Sequence, residues 1–192
     1  MNKISNVQIN IGWPEDLTDT IINQRYVDFI LDDNRPFDEE LENIKALQFK
    51  DGLKLLLNTK KNHKEFTDVL HSPTADYNVN TNSISIFETL LNQPMYDNNY
   101  PKAVNYGALG FIIGHELGHA FDSLGIDYDV DEDYNPWVNE ETKSYFKKLY
   151  DCLVKQYGEY KVGERSLNSK STLRENFADN LGNNPHIVPK KT

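Results

Sequence analysis

The chain has 192 residues, 38% of them hydrophobic, and its 30 acidic side chains outnumber 20 basic ones to give a formal net charge of -10. That length suits one domain or a large part of one. The negative balance repels phosphate backbones and anionic membrane surfaces, which argues against nucleic acid as a partner.

The N-terminus, MNKISNVQINIGWPEDL, has no apolar core of signal-peptide length. No stretch approaches the roughly 18 to 20 apolar residues of a membrane span. Cys152 is the only cysteine, which excludes an internal disulfide. GWPED, residues 12–16, predicts a turn, because Pro14 fixes its own backbone and biases Trp13 away from helix. DTIINQRYVDFIL then lines up Ile22, Tyr26, Phe29 and Ile30 on one helical side, and DDNRPF reads as a loop. From Asp38 the apolar positions Leu41, Ile44 and Leu47 recur every third residue, and Leu53, Leu56 and Leu57 continue them. This predicts a second amphipathic helix, interrupted near Gly52.

Further on, NSISIF (82–87) sets Ile84 and Ile86 against Ser83, Ser85 and Phe87, the alternation of a half-buried strand. QPMYDNNYPKA reads as loop. The run YGALGFIIGHELGHAFD is apolar almost all round and predicts a helix buried in a core, with Asn105 as its cap. Asp127, Asp129 and Asp131 alternate as in a calcium loop, but Glu132 stands where glycine is needed and Val138 where a bidentate glutamate is needed. That segment reads as a solvated acidic loop. After Pro136, the residues Val138, Tyr145, Phe146, Leu149 and Leu153 predict a long amphipathic helix. A short helix then carries TLRENFAD, opened by Ser171 or Thr172, and 183–192 read as a frayed tail.

The chemistry concentrates in GHELGHAFD, residues 114–122. Helical residues four apart lie one above the other, so the imidazoles of His115 and His119 converge on one point and can hold a metal. Glu116 points about a hundred degrees round from His115, off the ion but within reach of a water held there, which suits a general base. Chance alone gives HExxH in on the order of one in a hundred chains of such composition. A catalytic zinc needs a third protein ligand and an open position. Glu175 is the candidate, with Asp179 one turn along the same helix to accept a ring N–H of a ligand histidine. By spacing alone, Glu175 and Asp179 also fit an exposed helix face.

HELGHAFD with RENFAD, preceded by NYGALGFIIG, resembles the neprilysin and endothelin-converting enzyme family of zinc metallopeptidases, M13, whose two helices read HExxHGFD and ENxxD. IGWPEDL resembles the family's IGYPD. ADYN, NSI and LLNQPMYD resemble its NAYYNP, NEI and ILQPPFFD, and CLVKQY and SLNSKSTLRENFADN resemble the segments around its third ligand. No gap is needed from Thr74 to Asp122.

The resemblance implies one zinc ion held by His115, His119 and Glu175, with Glu116 as base and Asp179 as the orienter of a histidine. It implies a thermolysin-like zincin core, mainly α with a small antiparallel β-sheet (α+β), whose edge strand is Ser83 to Phe87. It also implies peptide substrates gripped at Thr74 and Ala75, and a membrane-anchored ectodomain or extracellular setting. Residues 1–182 read as a partial catalytic domain of this type.

Departures from the pattern bear on activity. Thr74 replaces the substrate-gripping asparagine; Phe87, Glu88 and Thr89 replace a Pro-Ala-Gly exit; Ala120 and Arg174 each replace a glycine. The family continues past ENxxD with a histidine, an arginine and a cysteine that pairs with the counterpart of Cys152, and His186 sits in the wrong context to substitute. The expectation is a zinc endopeptidase by ancestry. The alternative is a truncated, catalytically impaired zinc-binding relative that binds peptides or a partner.

Overall fold

The structure is a computed structural model and describes residues 2–12, 23, 27–28, 30, 32, 34–57, 74–129 and 137–183. It divides into two units, Pro14–Asp68 and Met1–Trp13 with Val69–Thr192. In the first unit, helix α2 (Phe37–Leu57) opens with Asp38, Glu39 and Glu40 in its first turn, where the helix dipole favours negative charge. It runs unbroken through Gly52, contrary to the interruption expected there. One glycine costs a helix only about 1 kcal/mol, too little to stop a 21-residue run. Most of the segment expected as the preceding helix, and residues 13–16 of the expected turn, lie outside the described residues.

The second unit begins with a short helix, α1 (Asn2–Ser5), and strand β1 (Gln8–Ile11). Strands β2 (Ala75–Asn78) and β3 (Ser83–Ile86) follow, and the sheet order is β1-β3-β2. The β2–β3 pair is antiparallel, with Tyr77 opposite Ile84, while β1 runs parallel to β3, with Ile9 opposite Ile84. Among the described residues the strand expected at the edge is therefore central, and β2 forms an edge. The reason is β1, whose sequence hides it: Ile9 and Ile11 face outward at 57% and 56% exposure, the reverse of a half-buried strand. Asn82 turns β2 into β3 at φ 44°, a conformation asparagine tolerates better than most side chains.

Ile84 and Ile86 are fully buried among Ala75, Tyr77, Leu90 and Ala120, and Leu109, Ile112, Ile113 and Leu117 of helix α3 (Lys102–His119) pack onto that cluster. Each isoleucine so buried contributes about 1.5–3 kcal/mol relative to exposure. Phe87 is buried as well, so β3 is covered more fully than its alternation implied. Helix α3 is less buried than its composition suggests: Val104 and Tyr106 in its first turns are exposed. It starts after Pro101, and Asn105 is not its cap. That side chain instead holds the preceding loop, donating to the Asp97 carbonyl at 2.8 Å.

Helix α4 (Glu140–Gly158) is capped by Asn139, whose side chain accepts from the Thr142 amide at 2.8 Å. A two-residue hairpin, β4 (Lys161–Val162) with β5 (Arg165–Ser166), leads to helix α5 (Leu173–Gly182). Thr172 precedes α5 as expected but makes no capping bond with its side chain, which donates to the Asn168 carbonyl. An aromatic group seats α4: Tyr150 stacks edge-on to Phe177 of α5 at 5.2 Å and donates to the Phe121 carbonyl at 2.6 Å. The fold is thus mostly helical with small sheets.

Candidate metal centre

Helices α3 and α5 meet backbone to backbone. A Cβ on Gly118 would lie 2.9 Å from the Ala178 Cα, one on Gly114 3.0 Å from the Gly182 Cα, and one on Gly182 2.8 Å from the Phe111 carbonyl oxygen. A carbon atom cannot occupy those positions without pushing the helices apart, so glycine is required for the close approach. Residues four apart share one helix face, so Gly114 and Gly118 form one side of the seam and Ala178 and Gly182 the other. His115 and His119 each follow a seam glycine, and Asp179 follows Ala178. The seam therefore sets the imidazole column of α3 beside the carboxylate column of α5.

The result is a three-donor cluster of His115, His119 and Glu175, whose ligand atoms all lie within 4.8 Å of one another. The two Nε2 atoms are 3.1 Å apart, and Glu175 Oε2 lies 3.3 Å from the Nε2 of His115 and 3.6 Å from that of His119. Donors sharing a tetrahedral ion with bonds of about 2.0–2.1 Å would stand about 3.3 Å apart. The observed triangle fits that edge.

The other ring nitrogens are committed elsewhere. His115 Nδ1 donates to Asp179 Oδ1 at 2.9 Å, and His119 Nδ1 donates to Asp122 Oδ2 at 2.8 Å. With a proton on each Nδ1, both Nε2 atoms carry lone pairs aimed at each other and at a carboxylate oxygen. Such a set repels itself unless a metal ion or a shared proton lies between. This tautomer assignment follows from the hydrogen-bond partners.

Asp122 is a partner of the candidate site that reading the sequence missed. Its signal was the GHELGHAFD stretch itself, where it stands three residues after His119 on the chain. The side chain is wholly buried and accepts four bonds: from His119 and from Arg174 Nε (2.7 Å) at one oxygen, and from the Leu124 (2.7 Å) and Gly125 (2.8 Å) amides at the other. Burial opposes its charge, but these donors outweigh burial and hold its carboxyl below the usual range. At His119 burial likewise opposes the charged form, yet the bond to Asp122 and the nearby Glu175, Asp122 and Glu116 charges raise its pKa. Arg174, which stands where the family pattern has a glycine, turns to Asp122. Ala120, the other such replacement, is fully buried in the core cluster.

Glu116 is 6% exposed, and burial raises its pKa, helped by the charges of Asp76 and Glu175 and opposed by both histidines. The influence of Asp76 brings the start of β2 into the electrostatic surroundings of Glu116. There Ala75 is buried, and the exposed Thr74 donates its hydroxyl to the Ala75 carbonyl at 2.9 Å. Cys152 is free and exposed on α4. Asp127 and Asp129 of the acidic segment are described, and 130–136 and His186 lie outside the described residues. No helix among the described residues is long and apolar enough to cross a membrane.

A helical α+β domain that converges two imidazoles and a carboxylate, with a buried glutamate next to the first histidine, has the layout of a metallopeptidase site. Residues 74–185 match Peptidase family M13, and the chain belongs to that family. It is 32% identical over 183 residues to neprilysin-3 of Drosophila melanogaster, covering 95% of this chain and 23% of that protein. Its fold superposes on PepO from Lactobacillus rhamnosis with a TM-score of 0.83 at 25% identity, over 95% of this chain and 28% of the other. It also superposes on the zinc metalloprotease Zmp1 of Mycobacterium tuberculosis with a TM-score of 0.78 at 24% identity, over 94% and 27%, a likeness of fold. The chain thus spans about a quarter of the length of these proteins.

Proposed function

We propose that this domain is the zinc-holding, water-activating part of a metalloendopeptidase, with His115, His119 and Glu175 as ligands and Glu116 as general base. The observation that carries the reading is the convergence of two Nε2 lone pairs and a Glu175 oxygen at tetrahedral-edge distances, with both Nδ1 protons already engaged. Two neutral imidazoles and one carboxylate are the donor set of a catalytic zinc, which leaves a position for substrate. When bound, the ion supplies Lewis-acid chemistry, polarising the scissile carbonyl and acidifying the attacking water.

The chain's own residues do the rest. Glu116 takes a proton from the attacking water and returns it to the leaving amine, and its raised pKa suits both halves of that transfer. Asp179 and Asp122 hold the two rings by their Nδ1 atoms, so that in the neutral rings each Nε2 lone pair faces the ligand point. The edge strand β2 offers its backbone to an extended peptide, so Thr74 and Ala75 stand where substrate main chain would pair. With threonine at 74, the grip on substrate relies on backbone rather than on a side-chain amide. Residues 1–182 serve as one catalytic region in this reading.

The test is to purify the chain, measure bound zinc by atomic emission, and compare peptide cleavage with Glu116→Gln. Zinc near one equivalent, with cleavage that the variant lacks, is the expected result. Zinc without cleavage above the variant favours the binding-only alternative for this polypeptide, and absence of zinc overturns both.

A further inference from the structure

Two cations outside the ligand set converge on the Asp122 turn. The first is Arg174, whose Nε donates to Asp122 Oδ2 at 2.7 Å, across from the hydrogen bond that the same oxygen accepts from His119 at 2.8 Å. Arg174 is the residue before Glu175. One bond therefore links the helix that carries the third ligand to the carboxylate that orients the second. It is charge-assisted, and its acceptor is fully buried, so water screens it less than a surface pair.

The second cation is Lys3, on the short N-terminal helix far away in sequence. It is 2% exposed, and its ammonium donates to the Gly125 carbonyl and to the Tyr128 carbonyl at 2.8 Å. Its own carbonyl accepts from the Asn82 side chain at 3.0 Å, and its ammonium lies 5.9 Å from the Tyr77 ring centroid. A buried lysine is costly to fold unless its donors are used. Here they close the turn 122–128, whose Leu124 and Gly125 amides grip the other oxygen of Asp122. Gly125 sits so tightly that a Cβ there would fall 1.9 Å from the His119 carbonyl oxygen, so the turn packs directly on the end of the ligand helix.

We propose that Arg174 and Lys3 are positioning residues of the metal centre: Arg174 ties the Glu175 helix to the carboxylate that orients His119, and Lys3 locks the turn that holds that carboxylate. Neither touches the ligand point. This inference rests on the metal reading above. It adds to that reading a requirement on two residues that no ligand motif contains.

The experiment uses the full chain loaded with Co(II), whose visible spectrum reports ligand geometry, and with Zn(II) in competition. The variants are Arg174→Gln, Arg174→Lys, Lys3→Met and Lys3→Arg, each also made in an Asp122→Asn background, with circular dichroism to establish folding. Groups that orient ligands typically change metal affinity about 10–100-fold. Arg174→Gln and Lys3→Met should each weaken Co(II) binding about tenfold and alter the visible band, while the lysine and arginine exchanges recover part of the loss. In the Asp122→Asn background both effects should fall below about twofold, because the path to His119 is already cut. A general loss of packing would lower the melting temperature but leave affinity and spectrum of the folded variants unchanged, and that result overturns the inference. Equal losses with and without Asp122 overturn it too. If Lys3→Met fails to fold, the Arg174 pair decides. A wild-type chain that binds neither metal overturns the metal reading itself, and this inference with it.

Discussion

Replacing glycine by alanine at two positions of α3 should move stability in opposite directions. Inside a helix alanine is favoured over glycine by about 0.8–1 kcal/mol. At Gly107 an added Cβ meets nothing within 4 Å, so Gly107→Ala should realise that gain in full. At Gly118 the same atom would lie 2.9 Å from the Ala178 Cα and 3.3 Å from its Cβ. Ordinary carbon contacts are about 3.5–4.0 Å, so α3 and α5 must part by several tenths of an ångström or more. Such overpacking costs about 1–3 kcal/mol and exceeds the helix gain, leaving a net loss of about 1 kcal/mol. For a chain of this size, 1 kcal/mol is about 2–4 °C in melting temperature. Melts followed by circular dichroism should therefore show Gly107→Ala rising and Gly118→Ala falling by that amount, with Co(II) affinity reduced only in Gly118→Ala because Glu175 moves with α5. Equal upward shifts would refute the backbone-to-backbone contact on which the site geometry depends.

Three further outcomes follow from the same structure. Asp179→Ala should weaken Zn(II) binding about 10–100-fold by freeing the His115 ring, as read by competition with a chromogenic chelator. Metal at a hundredfold excess over its dissociation constant should add about 2.7 kcal/mol of stability, which chelation removes in a calorimetric scan. Burial lowers the pKa of Lys3 from 10.5 to about 8, against the pull of Asp122 and Asp129, so the unfolded chain binds more protons between those values. Stability should then rise as pH climbs from about 8 towards 10, by at most about 3 kcal/mol. Above that range the slope should reverse, because burial raises Tyr77 and Tyr150 and the folded chain then keeps protons that the unfolded chain loses. Urea titrations from pH 7.5 to 10 should show this rise in the wild type and none in Lys3→Met.

The cluster proposed as the ligand set was legible because helical spacing maps directly onto space: four residues per step put His115 over His119, and Glu175 over Asp179. Spacing left Glu175 and Asp179 open as an exposed face; the resemblance of RENFAD to a ligand helix pointed to the histidines, and Glu175 does lie 3.3 Å from His115 Nε2. The seam was not legible, because Gly114 and Gly118 sit in an apolar run where glycine could equally mean a cap or a bend. Strand β1 was missed for a different reason. Its isoleucines face outward, so no alternation marked a buried face, and without β1 the central strand looked like an edge. The paths to Asp122 were long-range facts: Arg174 reaches its carboxylate directly from α5, and Lys3, from the other end of the chain, reaches the carbonyls of the turn that holds it.

The seam also makes the site discrete. Because Gly114, Gly118, Ala178 and Gly182 repeat with the helix turn, α5 cannot slide along α3 by a small amount without a clash. The next comfortable position is four residues away, about 6 Å. In that position Asp179, shorter by one methylene, would arrive where Glu175 now stands. The register of two helices therefore decides which carboxylate faces the histidines, and it admits one answer at a time.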